Sequence, residues 1–116
     1  MWPWVAAYNG TVDVVYYGAT ASSNLDTSAT WFVYVAASTD GGSTFSQVQL
    51  SPDSNHTGVV CLNGTGCRPG TRNLLDLFEV AIDPANGKAG VIYTDDAHTT
   101  DSDGNPLPQI VLAQQN

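Results

Sequence analysis

Short runs of Val, Ile, Tyr, Trp and Phe recur along the chain between clusters of Gly, Asn, Asp and Pro, and helical periodicity is nearly absent. This is the pattern of strands and turns, and it predicts about seven strands. The first, Pro3 to Tyr8, meets the second, Thr11 to Tyr17, across Asn9-Gly10, the dipeptide that best tolerates the positive φ of a two-residue hairpin. In the second strand Val12, Val14 and Tyr16 point one way while Asp13, Val15 and Tyr17 point the other. A third strand, Thr30 to Ala37, sets Trp31, Val33 and Val35 against Phe32 and Tyr34. Both strands are apolar on two faces and are expected to be covered twice. Phe45 to Leu50 alternates more cleanly and reads as a half-exposed fourth strand closing a meander.

From Ser51 to Asn73 the chain is rich in Gly, Asn, Ser and Thr and is expected to wrap over the surface. The strand pattern then restarts with Leu77 to Ile82, the turn Asp83-Pro84-Ala85-Asn86-Gly87, Ala89 to Thr94 and Pro108 to Ala113. The two halves can be superposed: Val5-Ala6 on Val80-Ala81, Gly10 on Gly87, and Val14-Val15-Tyr16 on Val91-Ile92-Tyr93. Repetition of a meander that is apolar on both faces suits the stacked blades of a β-propeller, each sheet packing against a neighbour on either side. A β-sandwich is the alternative, and it would show cleaner in/out alternation. The all-β chain therefore divides into a first blade over 1–51, an irregular cysteine-containing loop over 52–73 and an incomplete second blade over 74–116.

Between the third and fourth strands, Ser38-Thr39-Asp40-Gly41-Gly42-Ser43-Thr44-Phe45 fits S-x-D-x-G-x-[ST]-[WF]. Here the chain resembles the Asp-box, or BNR, repeats of sialidase-like β-propellers, which carry such boxes at that point of a blade. The defining positions are Ser38, Asp40, Gly42, Thr44 and Phe45. Physically, Asp40 can accept hydrogen bonds from turn N–H groups, Gly42 can take positive φ, and Phe45 can pin the hairpin by packing inward. The segment from Arg72 through Asp96 looks like a blade of exported bacterial members of the same group, without its own box. Propellers have about four to eight blades, so the resemblance implies a longer natural protein and a chain that holds about two of them.

Composition narrows the partners. Eleven acids against three cations give a formal net charge of -8, which disfavours nucleic acid and anionic membrane surfaces. No apolar run approaches the ~20 residues that span a bilayer, and Met1-Trp2-Pro3-Trp4 lacks the basic start and apolar core of a signal peptide. Low total charge and abundant neutral polar residues suit a secreted protein. Cys61 and Cys67 bracket Leu-Asn-Gly-Thr-Gly, and a disulfide closing that small loop is the leading reading. A zinc site using His56, or two free thiols, are the alternatives.

The sialidase resemblance would imply an arginine triad, a tyrosine nucleophile helped by a glutamate, and an aspartate acid/base. With Arg68 and Arg72 as the sole arginines and Glu79 as the sole glutamate, no such set can be assembled, and the catalytic assignment is empty. Tyr16, Tyr17 and Tyr93 lie in strands and read as core residues. Asp95, Asp96, Asp101, Asp103 and Asn105 share one loop, in which the spacing of Asp101, Asp103 and Asn105 resembles the start of a calcium loop. The competing reading is a solvated Asp-Gly turn with His98 exposed beside it. Asn9, Asn55 and Asn63 each begin an N-x-T sequon.

Two functions are therefore expected: a non-catalytic structural or binding portion of an extracellular propeller, with a glycan or protein ligand, or part of an exo-acting glycoside hydrolase whose catalytic residues lie outside this chain. The expected partners are the remaining blades of a longer chain or further copies of this one.

Overall fold

The tight turn at Asn9-Gly10 is present in the computed structural model of the chain, which describes residues 1–74 and 78–115. Asn9 and Gly10 take φ of 47° and 84°, the two positive values that twist the hairpin into register. It joins β1 (Trp4–Tyr8) to β2 (Thr11–Ala19), with Tyr8 opposite Thr11 and Val5 opposite Val14. Next come β3 (Thr30–Ser38) and β4 (Ser46–Gln49), completing the expected meander in the order β1-β2-β3-β4. The fold is all-β, and its second sheet is β6 (Glu79–Ile82), β7 (Ala89–Asp95) and β8 (Gln109–Gln114), antiparallel and in chain order. Leu77, expected to open β6, lies outside the described residues.

Between the sheets the chain departs from expectation. Ser51 to Asn73 does not merely wrap the surface: β5 (His56–Thr57) pairs with β3 beyond the end of β4, opposite Thr30 and Trp31. Ser51, Asn55, His56 and Val60 are all buried. Polar composition misleads here because several of the buried polar groups bond to the ends of the sheets. Ser51 Oγ accepts from Val33 N–H at 3.0 Å, and Asn55 N–H donates to Trp31 O at 2.9 Å.

One face of each sheet makes the core. Val15, Tyr17, Trp31, Val33 and Val35 from the first sheet meet Val80, Ala89, Val91 and Tyr93 from the second, with Val60, Leu74 and Phe78 at one end. Tyr17 stacks on Phe78 at 4.4 Å between ring centroids. The backbones approach most closely where β1 and β2 face β6. Away from that line lies an apolar cleft, lined by Val48 and Leu50 at one edge and by Ala113 at the other.

The second faces are left largely open, so the expectation of strands covered on both sides is not met within this chain. Val14, Tyr16, Phe32 and Tyr34 are half-buried on the outside of the first sheet, where Tyr16 and Tyr34 stack at 5.7 Å. Gly18 is required beside them, because a Cβ there would sit 2.7 Å from the Tyr34 ring. On the outside of the second sheet Ile110 and Leu112 are exposed.

Burial gives the core a pH limit. Tyr17 is 1% exposed and accepts a hydrogen bond from Thr94 N–H at 3.1 Å, and desolvation pushes its phenol up to about 12. A group whose folded pKa is raised stabilises fully below its unfolded value and loses that contribution as pH climbs through the folded one. The two-unit gap corresponds to about 3 kcal/mol. Urea titrations from pH 9 to 12 are therefore expected to show stability falling from about pH 10 upward, and Tyr17→Phe to flatten most of that fall.

Candidate functional site

Three places in the fold concentrate polar side chains: the turn between β3 and β4, the junction where β5 meets the end of β7, and the loop between β7 and β8.

The turn between β3 and β4 is organised by one carboxylate. Asp40 Oδ1 accepts from Ser43 N–H at 3.0 Å and Thr44 N–H at 2.9 Å, and its Oδ2 accepts from the Thr44 hydroxyl at 2.7 Å. The buried Ser38 hydroxyl donates to Asp40 Oδ1 at 2.7 Å and accepts from Gly42 N–H at 2.9 Å. Gly42 has φ of 90°, as its place in the motif requires. Gly41 N–H donates to Gly10 O at 2.9 Å, which ties this turn to the β1–β2 hairpin. Phe45 behaves differently from expectation: it is 49% exposed and its ring covers Gly42 rather than packing inward. It follows an edge turn of a sheet whose outer side carries no second layer.

Hydrogen bonds from Thr44 N–H, then from the Ser38 and Thr44 hydroxyls, hold the Asp40 carboxyl well below the usual carboxylate range. A depressed folded pKa gives stability above the unfolded value, lost only as pH falls through the folded one. The turn is therefore expected to keep its Ser43 and Thr44 amide resonances unchanged as a sample is acidified through pH 3.8, the ordinary value. Asp40→Ala is expected to remove the protection of those two amides from hydrogen exchange while leaving the core strands protected.

At the second place, His56 Nδ1 lies 2.8 and 3.0 Å from the two oxygens of Asp96, and both side chains are buried. Asn73 Nδ2 donates to Asp96 Oδ2 at 2.6 Å, Asp96 N–H donates to Asn55 O at 3.0 Å, and Asn55 Nδ2 donates to Thr94 O at 3.0 Å. This network binds the inserted segment to the second sheet. A pocket beside it of about 310 Å³ is lined by Ser54, His56, Thr57 and Asp96. Nothing in the local sequence pattern announced it, because its members lie some forty positions apart (|i−j| of 40 for His56 and Asp96).

The five oxygen-bearing residues proposed for calcium are not brought together. Asp96 is committed to His56, and Asp95 to His98 at 2.9 Å. Asp101 holds its own turn, accepting from Asp103 N–H and Asn105 N–H, each at 2.9 Å. Asp-Gly turn geometry thus accounts for Asp101, Asp103 and Asn105, and among the described residues no three His, Cys, Asp or Glu side chains are grouped to hold a metal. His98 is exposed, as expected, and the Asp95 hydrogen bond followed by its charge raises the imidazole above its ordinary value.

The disulfide is formed between Cys61 and Cys67 with 5.8 Å between Cα atoms, which disposes of the zinc and free-thiol alternatives. Arg68 and Arg72 flank an open depression beside it, and Arg72 Nη1 donates to Gly64 O at 3.2 Å. Asn55, one of the three sequon asparagines, is fully buried and closed to glycosylation. Among the described residues no helix is long and apolar enough to cross a membrane.

Comparison with family models, curated proteins and solved structures returned no match for this chain.

Proposed function

We propose that this chain supplies two neighbouring blades of an extracellular Asp-box β-propeller and acts as a structural and binding portion, with a glycan or protein as ligand. The observation that carries the reading is the use of opposite faces by equivalent strands. Val5 pairs with Val14 in the first sheet as Val80 pairs with Val91 in the second, and Val14 pairs with Ala36 as Val91 pairs with Ala113. The repeat in sequence is thus also a repeat in register. Yet Val80 and Val91 are buried between the sheets, whereas Val5 is 60% exposed and Val14 faces outward with it.

The front of the first sheet therefore meets the back of the second. A contact between two different faces is heterologous, and repeated through a rotation it builds a ring, whereas like-to-like contact stops at two. The apolar outer faces left over, around Tyr16 and Tyr34 on one side and Ile92 and Leu112 on the other, are then the places for preceding and following blades. A Ser38–Phe45 turn built round one aspartate supports the Asp-box resemblance, and the disulfide supports an oxidising, extracellular setting.

Binding and turnover assays on the intact protein separate this reading from the hydrolase alternative. Ligand capture on a glycan array without release of fluorophore from a fluorogenic sialoside is expected. Turnover of the sialoside would overturn it.

A further inference from the structure

Asp13 stands on the inner face of β2, between Ala6 of β1 and Ala37 of β3 in the pairing register. Three successive inner-face positions are thus an acid between two alanines, and the small neighbours leave space in front of the carboxylate. That space is a cavity of about 120 Å³ in the cleft between the sheets, lined by Val35, Val48, Leu50, Ala89, Val91 and Ala113 together with Asp13. Asp13 is 2% exposed, and among the described residues no donor reaches its Oδ2. Desolvation raises its pKa.

A buried carboxylate without a partner is costly, and proteins pair such groups or place a cation against them. Among the described residues no cation pairs with Asp13: Arg68 and Arg72 flank the disulfide loop, Lys88 is exposed, and His56 and His98 bond to Asp96 and Asp95. Gln115 is the other polar residue of the lining, its Oε1 accepting from Ala89 N–H at 3.2 Å, and the remaining walls are aliphatic. We propose that the cleft is a binding site for a primary ammonium carried on a short alkyl stem, the charge against Asp13 and the stem along Val35, Val91 and Ala113. The size agrees, since an apolar cavity of roughly 150 Å³ accepts benzene and this one is slightly smaller. The site is independent of the propeller reading, because it lies wholly between the two sheets of this chain.

The test is titration of the protein with n-butylammonium, with 1-butanol as the neutral isostere, followed by amide chemical shifts. Butylammonium is expected to perturb Val35, Ala37, Ala89 and Ala113 and to bind at least about tenfold tighter than butanol, the value of one charge-assisted hydrogen bond. Asp13→Asn is expected to bring the two ligands to equal affinity, and Ala113→Leu, which fills the cavity and keeps the acid, to abolish binding of both. Equal affinities in the unsubstituted protein, perturbation of other residues, or undiminished binding in Ala113→Leu would each overturn the assignment.

Discussion

Asp96→Ala is expected to cost about 3–5 kcal/mol, the usual consequence of removing one member of a buried, hydrogen-bonded pair. His56 would be left 6% exposed with its Nδ1 donor facing an empty space, and Asn73 Nδ2 would lose its acceptor. Domains of this size are stable by about 5–15 kcal/mol, so the loss is a large share of the whole. Asp96→Asn keeps the shape and one acceptor oxygen and should cost less. Urea unfolding of the two variants and of His56→Ala checks this. A double variant is expected to be less destabilised than the sum of the singles, and a change under about 1 kcal/mol in Asp96→Ala would show that the network contributes little to the fold.

Trp31→Ala has a comparable expected effect through a different cause. The indole is 2% exposed, packs in the core, and donates from Nε1 to Gly58 O at 2.9 Å, while its backbone pairs with His56. Truncating a buried tryptophan costs about 3–5 kcal/mol in lost burial and cavity formation. Because the indole also holds the inserted segment, cleavage by a non-specific protease is expected to appear first around Ser54–Gly58. Trp31→Phe retains most of the buried area but strands the Gly58 carbonyl, and should fall between the variant and the original. Global loss of stability without early cleavage there would mean that the segment is anchored elsewhere.

Much of this architecture was readable from local pattern. The Asn9-Gly10 hairpin, the alternation in β2 and β3, and the second meander each follow from residues a few positions apart, where backbone preference and period-two patterning decide the outcome. The Ser38–Thr44 part of the next turn was equally legible, since Asp40 bonds only its own neighbours, whereas the outward placing of Phe45 was not. What escaped depends on distant partners. A two-residue strand such as β5 has no periodicity to detect, and its pairing follows from Trp31 lying opposite His56. The acids around Asp95 to Asn105 looked like one ligand set because they are close in sequence, yet His56 and His98 draw Asp96 and Asp95 to different neighbours. Asp13 was visible as one polar residue on an apolar face, but not its isolation, which depends on alanines contributed by two other strands.

The alternation in burial is cleaner than the sequence suggested, because each sheet has one covered and one open face. In a lone two-layer structure that would be the final state. Two facing sheets are compatible with a sandwich as well as with blades; the same-register repeat facing opposite ways is what supports the proposed blade reading, for it makes the outer surfaces equivalent to surfaces that are already buried inside the chain.

Distances between spin labels test that claim most directly, with one pair at Val5 and Ala81 and a second at Gln47 and Leu112, all exposed outer positions on β1, β6, β4 and β8. Blades radiating from an axis predict a clearly longer separation for the second pair than for the first. Equal separations, as in layers held about 10 Å apart across their whole breadth, would contradict it.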